Sequence, residues 1–474
     1  MTATDKLKRI VKRQLVVRRL ERNRRRLDRL STMTHGRLSE RYWDCEVGGA
    51  GVLSIGGVDV RDLVQTYGTP LHVVNFDRLK ADHDRFLSAF RSYHEKTTLG
   101  TSYKTNPVPG VLRELHRLGT LAEVISEFEL WLALHLGVPG ARIVFNGPGK
   151  PRSAIELAVE RGVRVINADS PEEVRLIEDV CRARNARQRV GLRVTSSVGW
   201  QSQFGVNIGT GQAAEAAALV DSLPHLELAG LHLHLGNGIA NADVYVDGIT
   251  EVIEFAISVE RQLGVNVEFL DLGGGFGVPT VRKLDEWDLR AESLGYAPQR
   301  PVPEDATDAA GFARAIFARA GKVLAQLRGP VELILEPGRA ITSQSQVLLL
   351  SVIRSKTLGA GERGLILDGG RNITMPLGWE YHEILPATKM SETHVEKQSL
   401  FGPLCHPGDV LGLHRTLPVL EPGDVVAVMD AGAYFVPNQT NFSNPRPAIV
   451  GVRASTSSLL RKRERFEDIV QHDS

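Results

Sequence analysis

The feature that most constrains the fold is a series of eight short apolar segments that alternate with helix-forming stretches. The apolar segments are residues 97–104, 121–126, 142–146, 163–169, 190–194, 228–235, 267–272 and 331–335. Amphipathic stretches such as 151–161, 171–182 and 212–222 lie between them. Alternating strands and helices build parallel sheets, and eight units close economically into a (β/α)₈ TIM barrel. We therefore predict an α/β fold based on such a barrel.

The chain is too long for the barrel alone, since it has 474 residues and its pattern changes after Arg339. Strand-like segments without helices follow at 346–354, 364–368, 424–430 and 446–452. We predict a basic extension over 1–45, strands in 46–75 that join a second domain, the barrel over 76–340, a C-terminal β-rich domain over 341–460 and a tail over 461–474. The long connection at 278–308 is rich in proline and charge, which fits a lid, a specificity loop or an idle surface insertion.

Composition and charge narrow the class of protein. The chain is 42% hydrophobic and has no uninterrupted apolar run of membrane-spanning length, and its three cysteines are far apart. We expect a soluble, cytoplasmic protein without a membrane span. Residues 1–41 carry a net charge of +10 and the remainder −9. This basic arm, residues 1–41, could bind an anionic partner such as an acidic protein, nucleic acid or a membrane surface. Alternatively, it is a solvated extension, or it packs on the acidic surface of the remaining chain.

Polar residues stand at the carboxyl ends of the predicted strands, where barrel enzymes assemble their active sites. They are Lys104, Ser126, Asn146, Asp169, Arg193, His234, the glycines at 273–275, and Glu336 with Arg339. Each alone fits a helix cap or a turn, but the set together predicts an active site. We take Lys104 as the reactive centre.

The last two strands of the predicted barrel end in residues suited to an anion. The glycine run at 273–277 lets backbone N–H groups close on a phosphate, and Arg339 can add a bidentate contact. The glycine run lacks the G-x-G-x-x-G spacing of a dinucleotide-binding site. Glu336 ends a buried strand and so needs a partner, either a pyridinium N–H or an arginine within its own loop.

His232 and His234 alternate with leucines, so their imidazoles point to the same side of one strand. This spacing suits a metal ion, but the predicted rim offers no further histidine. A neutral imidazole stacked on a flat cofactor ring fits better, and we predict no metal.

These motifs resemble those of the fold-type III pyridoxal-phosphate (PLP) decarboxylases, whose fold is alanine racemase-like. The resemblance rests on Tyr-Lys104-Thr-Asn, Phe-Asn146-Gly-Pro-Gly-Lys150, His234-Leu-Gly-Asn237, Gly273-Gly-Gly-Phe276, Glu336-Pro-Gly-Arg339, Gly402-Pro-Leu-Cys405 and Gly432-Ala-Tyr434. It runs in order from about residue 67 to 452 and is most similar to the diaminopimelate decarboxylases, with the ornithine and arginine decarboxylases related.

The resemblance implies a role for each matching position. Lys104 holds PLP as a Schiff base, which needs an easily deprotonated amine. Glu336 binds the pyridinium nitrogen, His234 stacks on the ring, and CO₂ leaves the substrate through a quinonoid intermediate. The positions that hold the cofactor also include Glu123, Asn237, Gly274, Gly275, Arg339 and Tyr434. Cys405 supplies the proton to Cα from across a two-fold interface, which implies a homodimer with shared active sites.

Three positions depart from the family pattern. His406 follows Cys405 where the diaminopimelate enzymes have glutamate, and Met375 precedes Pro376 where an arginine is usual, although Arg371 is available to compensate. Glu123 stands where aspartate is usual. Arg339, Arg371, Met375, Cys405, His406 and Tyr434 are the predicted substrate-binding residues. The distal end of the substrate is therefore expected to differ from that of diaminopimelate.

The predicted activity is that of a PLP-dependent carboxy-lyase acting on an amino acid or an amino-acid conjugate. An amino-acid racemase, a non-catalytic paralogue and a metal hydrolase are the alternatives, and Glu336 disfavours the racemase because alanine racemases place an arginine there. We expect no nucleic-acid partner. The basic arm leads to the further hypothesis that the substrate is presented on an acidic carrier protein.

Overall fold

The computed structural model describes residues 37–359 and 361–473, so most of the predicted basic arm lies outside the described residues. The first part contains β1 (Cys45–Val47), β2 (Leu53–Ile55), β3 (Val58–Asp59), α1 (Val60–Tyr67), β4 (Leu71–Asn75) and α2 (Phe76–Arg91). Leu38 and Trp43 are buried in a hydrophobic cluster with β4. The packed structure thus already includes two side chains of the segment 1–45 that the sequence assigns to the basic extension.

The barrel region follows in chain order. Its strands are β5 (Thr97–Ser102), β6 (Leu121–Val124), β7 (Ile143–Phe145), β8 (Val165–Ala168), β9 (Gln188–Thr195), β10 (Val206–Asn207), β11 (Leu226–Leu233), β12 (Phe269–Asp271), β13 (Arg282–Lys283) and β14 (Glu332–Leu335). Its helices are α3 (Pro109–Arg117), α4 (Glu127–His135), α5 (Arg152–Glu160), α6 (Pro171–Arg184), α7 (Gln212–Ser222), α8 (Ala242–Leu263), α9 (Glu286–Ser293), α10 (Ala309–Leu324) and α11 (Gly338–Thr342).

Eight parallel strands close into a barrel in the order β5-β6-β7-β8-β9-β11-β12-β14 and back to β5. This confirms the predicted (β/α)₈ architecture. The predicted first strand is two residues too long, because Thr105 N–H bonds to the Ser102 carbonyl and turns the chain before Lys104. Ser126 and Ser170 accept hydrogen bonds at the N-termini of α4 and α6, which explains why these helices begin where they do.

The remaining chain is rich in strands. They are β15 (Gln346–Thr357), β16 (Arg363–Leu367), β17 (Glu380–Tyr381), β18 (Ile384–Leu385), β19 (Glu396–Phe401), β20 (Val410–Leu417), β21 (Val425–Val428), β22 (Ala448–Arg453) and β23 (Thr456–Arg461), followed by α12 (Phe466–Val470). Strand β4 lies between β15 and β22 in the same sheet. The domain boundaries proposed from the sequence stay predictions.

The long connection at 278–308 is structured. It contains α9 and β13, and β13 pairs antiparallel with β17 of the C-terminal region. His414 and Lys397 bond to backbone carbonyls of this connection. The connection is therefore packed against the C-terminal sheet. Within the described residues, no helix combines the length and apolar character that crossing a bilayer requires.

Candidate active site

A buried cavity opens at the carboxyl ends of the barrel strands, and Lys104 lies in its wall. The lining residues are Ser102, Lys104, Thr105, His234, Asn237, Gly275, Glu336, Gly338, Arg339 and Tyr434. Seven of these are site residues predicted from the sequence, and they come from four separate stretches of barrel and one of the C-terminal region. Lys104 and Glu336 thus lie in the same cavity.

The side-chain amide of Asn146 holds Glu336 in place. Asn146 Nδ2 donates to Glu336 Oε1 at 2.6 Å and lies 3.1 Å from Glu123 Oε1, and Asn167 in turn donates to Asn146 at 2.7 Å. Glu123 is buried and bonds to Asn146, but it is absent from the residues that line the cavity. The alternative pair between Glu336 and the arginine of its own loop is wrong, because Arg339 binds Glu380 instead.

A layer of polar side chains crosses the barrel beneath the cavity. Arg193, His232 and Asp271 are in register on β9, β11 and β12. All three are buried, and His232 Nε2 lies 3.9 Å from Glu336 Oε2. Asp271 is absent from the site residues predicted from the sequence. The signal for it in the sequence is the alternation of β12, which places Asp271 inward two residues before the glycine turn begins at Gly273.

The electrostatics of this layer are dominated by burial. Burial, together with the carboxylates of Asp271 and Glu123, raises the pKa of Glu336 well above its usual range, and burial raises the pKa of Asp271 to about 7. Burial alone lowers the pKa of Lys104, but Glu123 and Glu336 raise it by more. The acids beneath the amine therefore favour its ammonium form in the cofactor-free protein.

His232, in β11, and His234, directly after this strand, have separate environments. Burial lowers the pKa of both His232 and His234 well below the usual value, so both imidazoles are neutral. His234 Nδ1 accepts the Gly274 N–H at 3.3 Å, and its ring lies 5.6 Å from that of Trp200. A group of side chains that could ligate a metal comprises His232, Asp271 and Glu336, with ligand atoms within 4.8 Å of one another. His234, which the metal alternative would pair with His232, is not part of this group.

The glycine turn and Arg339 form the anion-binding side of the cavity. Gly275 has φ +89°, and a Cβ there would lie 2.0 Å from the Gly236 carbonyl oxygen, so only glycine allows this close backbone approach. Gly275 lines the cavity, whereas the Gly274 N–H is directed to His234. Arg339 Nε and Nη1 are buried without a hydrogen-bond partner among the described residues. A phosphate fits this set of donors.

Of the six predicted substrate-binding residues, Arg339 and Tyr434 line the Lys104 cavity and the other four lie elsewhere on the same chain. Arg371, Met375 and His406 line a second, mainly apolar cavity at the surface, together with Trp379, Phe442 and other residues. Cys405 is exposed. The described single chain does not bring these four residues into the wall of the Lys104 cavity.

A lysine above a buried glutamate at the mouth of a (β/α)₈ barrel, with an anion site beside it and a β-rich C-terminal region, defines a fold-type III PLP enzyme. Residues 77–343 match the family model described as "Pyridoxal-dependent decarboxylase, pyridoxal binding domain". The diaminopimelate decarboxylase of Aquifex aeolicus is 30% identical over 439 residues, which are 89% of this chain and 95% of that protein. That of Methanocaldococcus jannaschii is 29% identical over 437 residues, which are 88% of this chain and 94% of that protein.

Solved structures agree with the sequence relatives. The crystal structure of diaminopimelate decarboxylase from M. jannaschii in complex with L-lysine superposes with a TM-score of 0.81 at 27% identity, covering 91% of this chain and 98% of that one. The chain belongs to the pyridoxal-dependent decarboxylase family. It is a PLP-dependent amino-acid decarboxylase, as the sequence motifs predicted.

Proposed function

We propose that this enzyme removes the α-carboxylate of an amino acid or amino-acid conjugate whose distal end differs from that of diaminopimelate. The observation that carries the proposal is the joint presence of Lys104 and Glu336 in one cavity of a pyridoxal-dependent decarboxylase chain. The relatives named diaminopimelate decarboxylase, one of them solved with L-lysine, support a diamino acid as the starting point for the search.

Each side chain of the cavity has one role in this proposal. Lys104 would hold the cofactor through its amine, and Glu336 would keep a proton at the ring nitrogen. Gly275, Asn237, Arg339 and Tyr434 would hold the phosphate, and His234 would lie against the ring. When bound, PLP supplies an electron sink for the pair left on Cα after CO₂ departs. Glu336 would stabilise the charged ring, because a positive charge at the ring nitrogen would favour the ionised form of a carboxyl group whose pKa burial otherwise raises.

The distal end of the substrate is proposed to be neutral or of modest polarity. Met375 is 45% exposed and offers no charge where the family pattern has arginine, and His406 replaces a carboxylate. Trp379 and Phe442, which line the same surface cavity, are also half-exposed. Arg371, which lines the same cavity, would repel a distal ammonium group, whereas an apolar or amide-linked group would bury surface against these rings.

We propose that two copies of the chain form a homodimer with shared active sites. The separation of Cys405, His406, Arg371 and Met375 from the Lys104 cavity supports this, since these residues act only if a second copy presents them. In this arrangement Cys405 of the partner copy gives a proton to Cα after CO₂ leaves. Mixing a Lys104→Ala chain with a Cys405→Ala chain tests it. Shared sites predict recovery of about a quarter of wild-type activity, whereas independent sites predict none.

The decisive experiment measures CO₂ release by PLP-loaded enzyme from diaminopimelate, lysine, ornithine, arginine and their side-chain amides. Lys104→Ala should release none. Loss of optical rotation without CO₂ would favour a racemase. Protein that binds no PLP would contradict the proposed decarboxylase activity, and turnover of diaminopimelate in preference to the side-chain amides would contradict the proposed distal end.

We propose in addition a cytoplasmic location and a role for the basic arm in docking an acidic carrier that bears the substrate. The three cysteines are free in the structure, which supports a reducing compartment. The net charge of +10 over residues 1–41 supports the docking. An arm-deleted variant should turn over free substrate normally and carrier-bound substrate more slowly. Equal turnover of both forms by both proteins would exclude the docking role.

A further inference from the structure

The arginine assigned to the phosphate is engaged by a carboxylate. Arg339 Nη2 donates to Glu380 Oε1 at 2.7 Å, and each of these two side chains is only 4% exposed. The Arg339 guanidinium carbon also lies 5.2 Å from the centre of the Tyr434 ring. The guanidinium is thus held on two sides, while its Nε and Nη1 are buried without a partner among the described residues.

A carboxylate beside an anion-binding arginine needs an explanation, because it offsets part of the charge that attracts the anion. Burial alone would raise the pKa of Glu380, but His382, 3.5 Å away, and Arg339 lower it below the usual value. The carboxylate is therefore ionised at neutral pH. A buried ion pair adds little net stability, since desolvation offsets the attraction. What a charge-assisted hydrogen bond does provide is a fixed direction for the guanidinium.

The backbone that carries Glu380 is itself fixed by the long connection. Glu380 and Tyr381 form β17, which pairs in register with Lys283 and Arg282 of β13. The Leu284 N–H also bonds to the Trp379 carbonyl at 2.8 Å. The connection at 278–308 therefore holds in place the segment from which Glu380 reaches Arg339.

We propose that Glu380 is a positioning residue that orients Arg339 so that its Nε and Nη1 face the phosphate of the cofactor. This inference rests on the proposed function in one respect, the assignment of Arg339 to the phosphate. The connection at 278–308 then contributes to the anion site, because its strand β13 fixes β17, the strand from which Glu380 orients Arg339.

The test compares the affinities of cofactor-free protein for PLP and for pyridoxal, which lacks the phosphate. Their ratio reports the phosphate contacts independently of turnover. Glu380→Asp keeps the charge but shortens the side chain by one methylene, so it should not reach Nη2. Glu380→Gln keeps an acceptor oxygen at the same distance without the charge. If position matters, the PLP-to-pyridoxal ratio falls by roughly tenfold in Glu380→Asp and stays within about threefold of wild type in Glu380→Gln.

Two further variants complete the design. Glu383→Gln is the matched control, because Glu383 is a buried carboxylate in the same segment that bonds to Tyr381 and Leu38 instead; its ratio should equal that of wild type. Arg339→Gln should lower the ratio more than Glu380→Asp does.

The outcomes separate the two claims. A ratio that falls in Arg339→Gln but not in Glu380→Asp overturns the positioning role alone. An unchanged ratio in Arg339→Gln overturns the phosphate assignment and the positioning role together. A ratio that falls in Glu380→Gln but not in Glu380→Asp means that charge, not position, is what Glu380 contributes, and it also overturns the inference.

Discussion

Replacing Asp271 by asparagine should stabilise the cofactor-free protein at alkaline pH. Asp271, Glu123 and Glu336 are three buried carboxylates, and burial raises the pKa of Asp271 from 3.8 to about 7. A rise of this size corresponds to about 4 kcal/mol of unfavourable free energy when Asp271 is ionised in the folded protein. Asparagine removes that charge and keeps an oxygen for the Gly273 N–H, which Asp271 Oδ1 accepts at 3.0 Å.

The sign of the pH dependence follows from the direction of the pKa. Because the folded protein holds the Asp271 proton more tightly than the unfolded chain does, wild-type stability falls as the pH rises from about 4 to about 7. The advantage of Asp271→Asn is therefore absent near pH 4.5, develops through this window and is complete above it. We expect a gain on the order of 2–4 kcal/mol at pH 8.

The assay is urea unfolding of the cofactor-free protein at pH 4.5, 6 and 8, followed by tryptophan fluorescence. Asp288→Asn is the control of opposite sign: burial would raise the pKa of Asp288, but Arg282 bonds to it and lowers the pKa below the usual value. That variant should lose stability at pH 8. An Asp271→Asn protein that is less stable than wild type at pH 8, or equally shifted at every pH, would refute the reasoning.

Three further substitutions are each tested by a single measurement. Gly275→Ala should weaken PLP binding at least tenfold in a spectroscopic titration, because its Cβ would overlap the Gly236 carbonyl oxygen at 2.0 Å. Lys150→Met should lower the free energy of unfolding by about 3–5 kcal/mol, seen as an earlier calorimetric transition, because its ammonium makes three buried hydrogen bonds. Trp43→Phe should cost about 1–3 kcal/mol in the same measurement, since Asp430 Oδ2 loses its indole donor at 2.9 Å.

The barrel was predictable because its signals are local. Each strand is a short apolar run, and each active-site residue at its end breaks that run with a polar side chain. Lys104, His234, Glu336 and Arg339 could be found in this way, and the structure places all four around one cavity. The order of motifs along the chain then indicated the family.

Other features depended on contacts between distant segments. The pair between Arg339 and Glu380 joins residues 41 positions apart, and no spacing in the sequence indicates it. The acidic layer under Lys104 arises from the register between β6, β12 and β14 as the barrel closes, so the raised pKa of the lysine could not be anticipated. The burial of Leu38 and Trp43 was hidden by the arginines around them.

The position of β4 has a consequence for how the polypeptide can be cut and assembled. Leu71 pairs with Leu349 on one side and Ala448 on the other, so the barrel sequence is inserted between neighbouring strands of a single sheet. During synthesis β4 leaves the ribosome early. It can pair with β15 and β22 only when nearly the whole chain has been made. A fragment that ends after the barrel would expose both edges of this strand and would be prone to aggregate. A barrel expressed from residue 76 onward avoids that exposed strand.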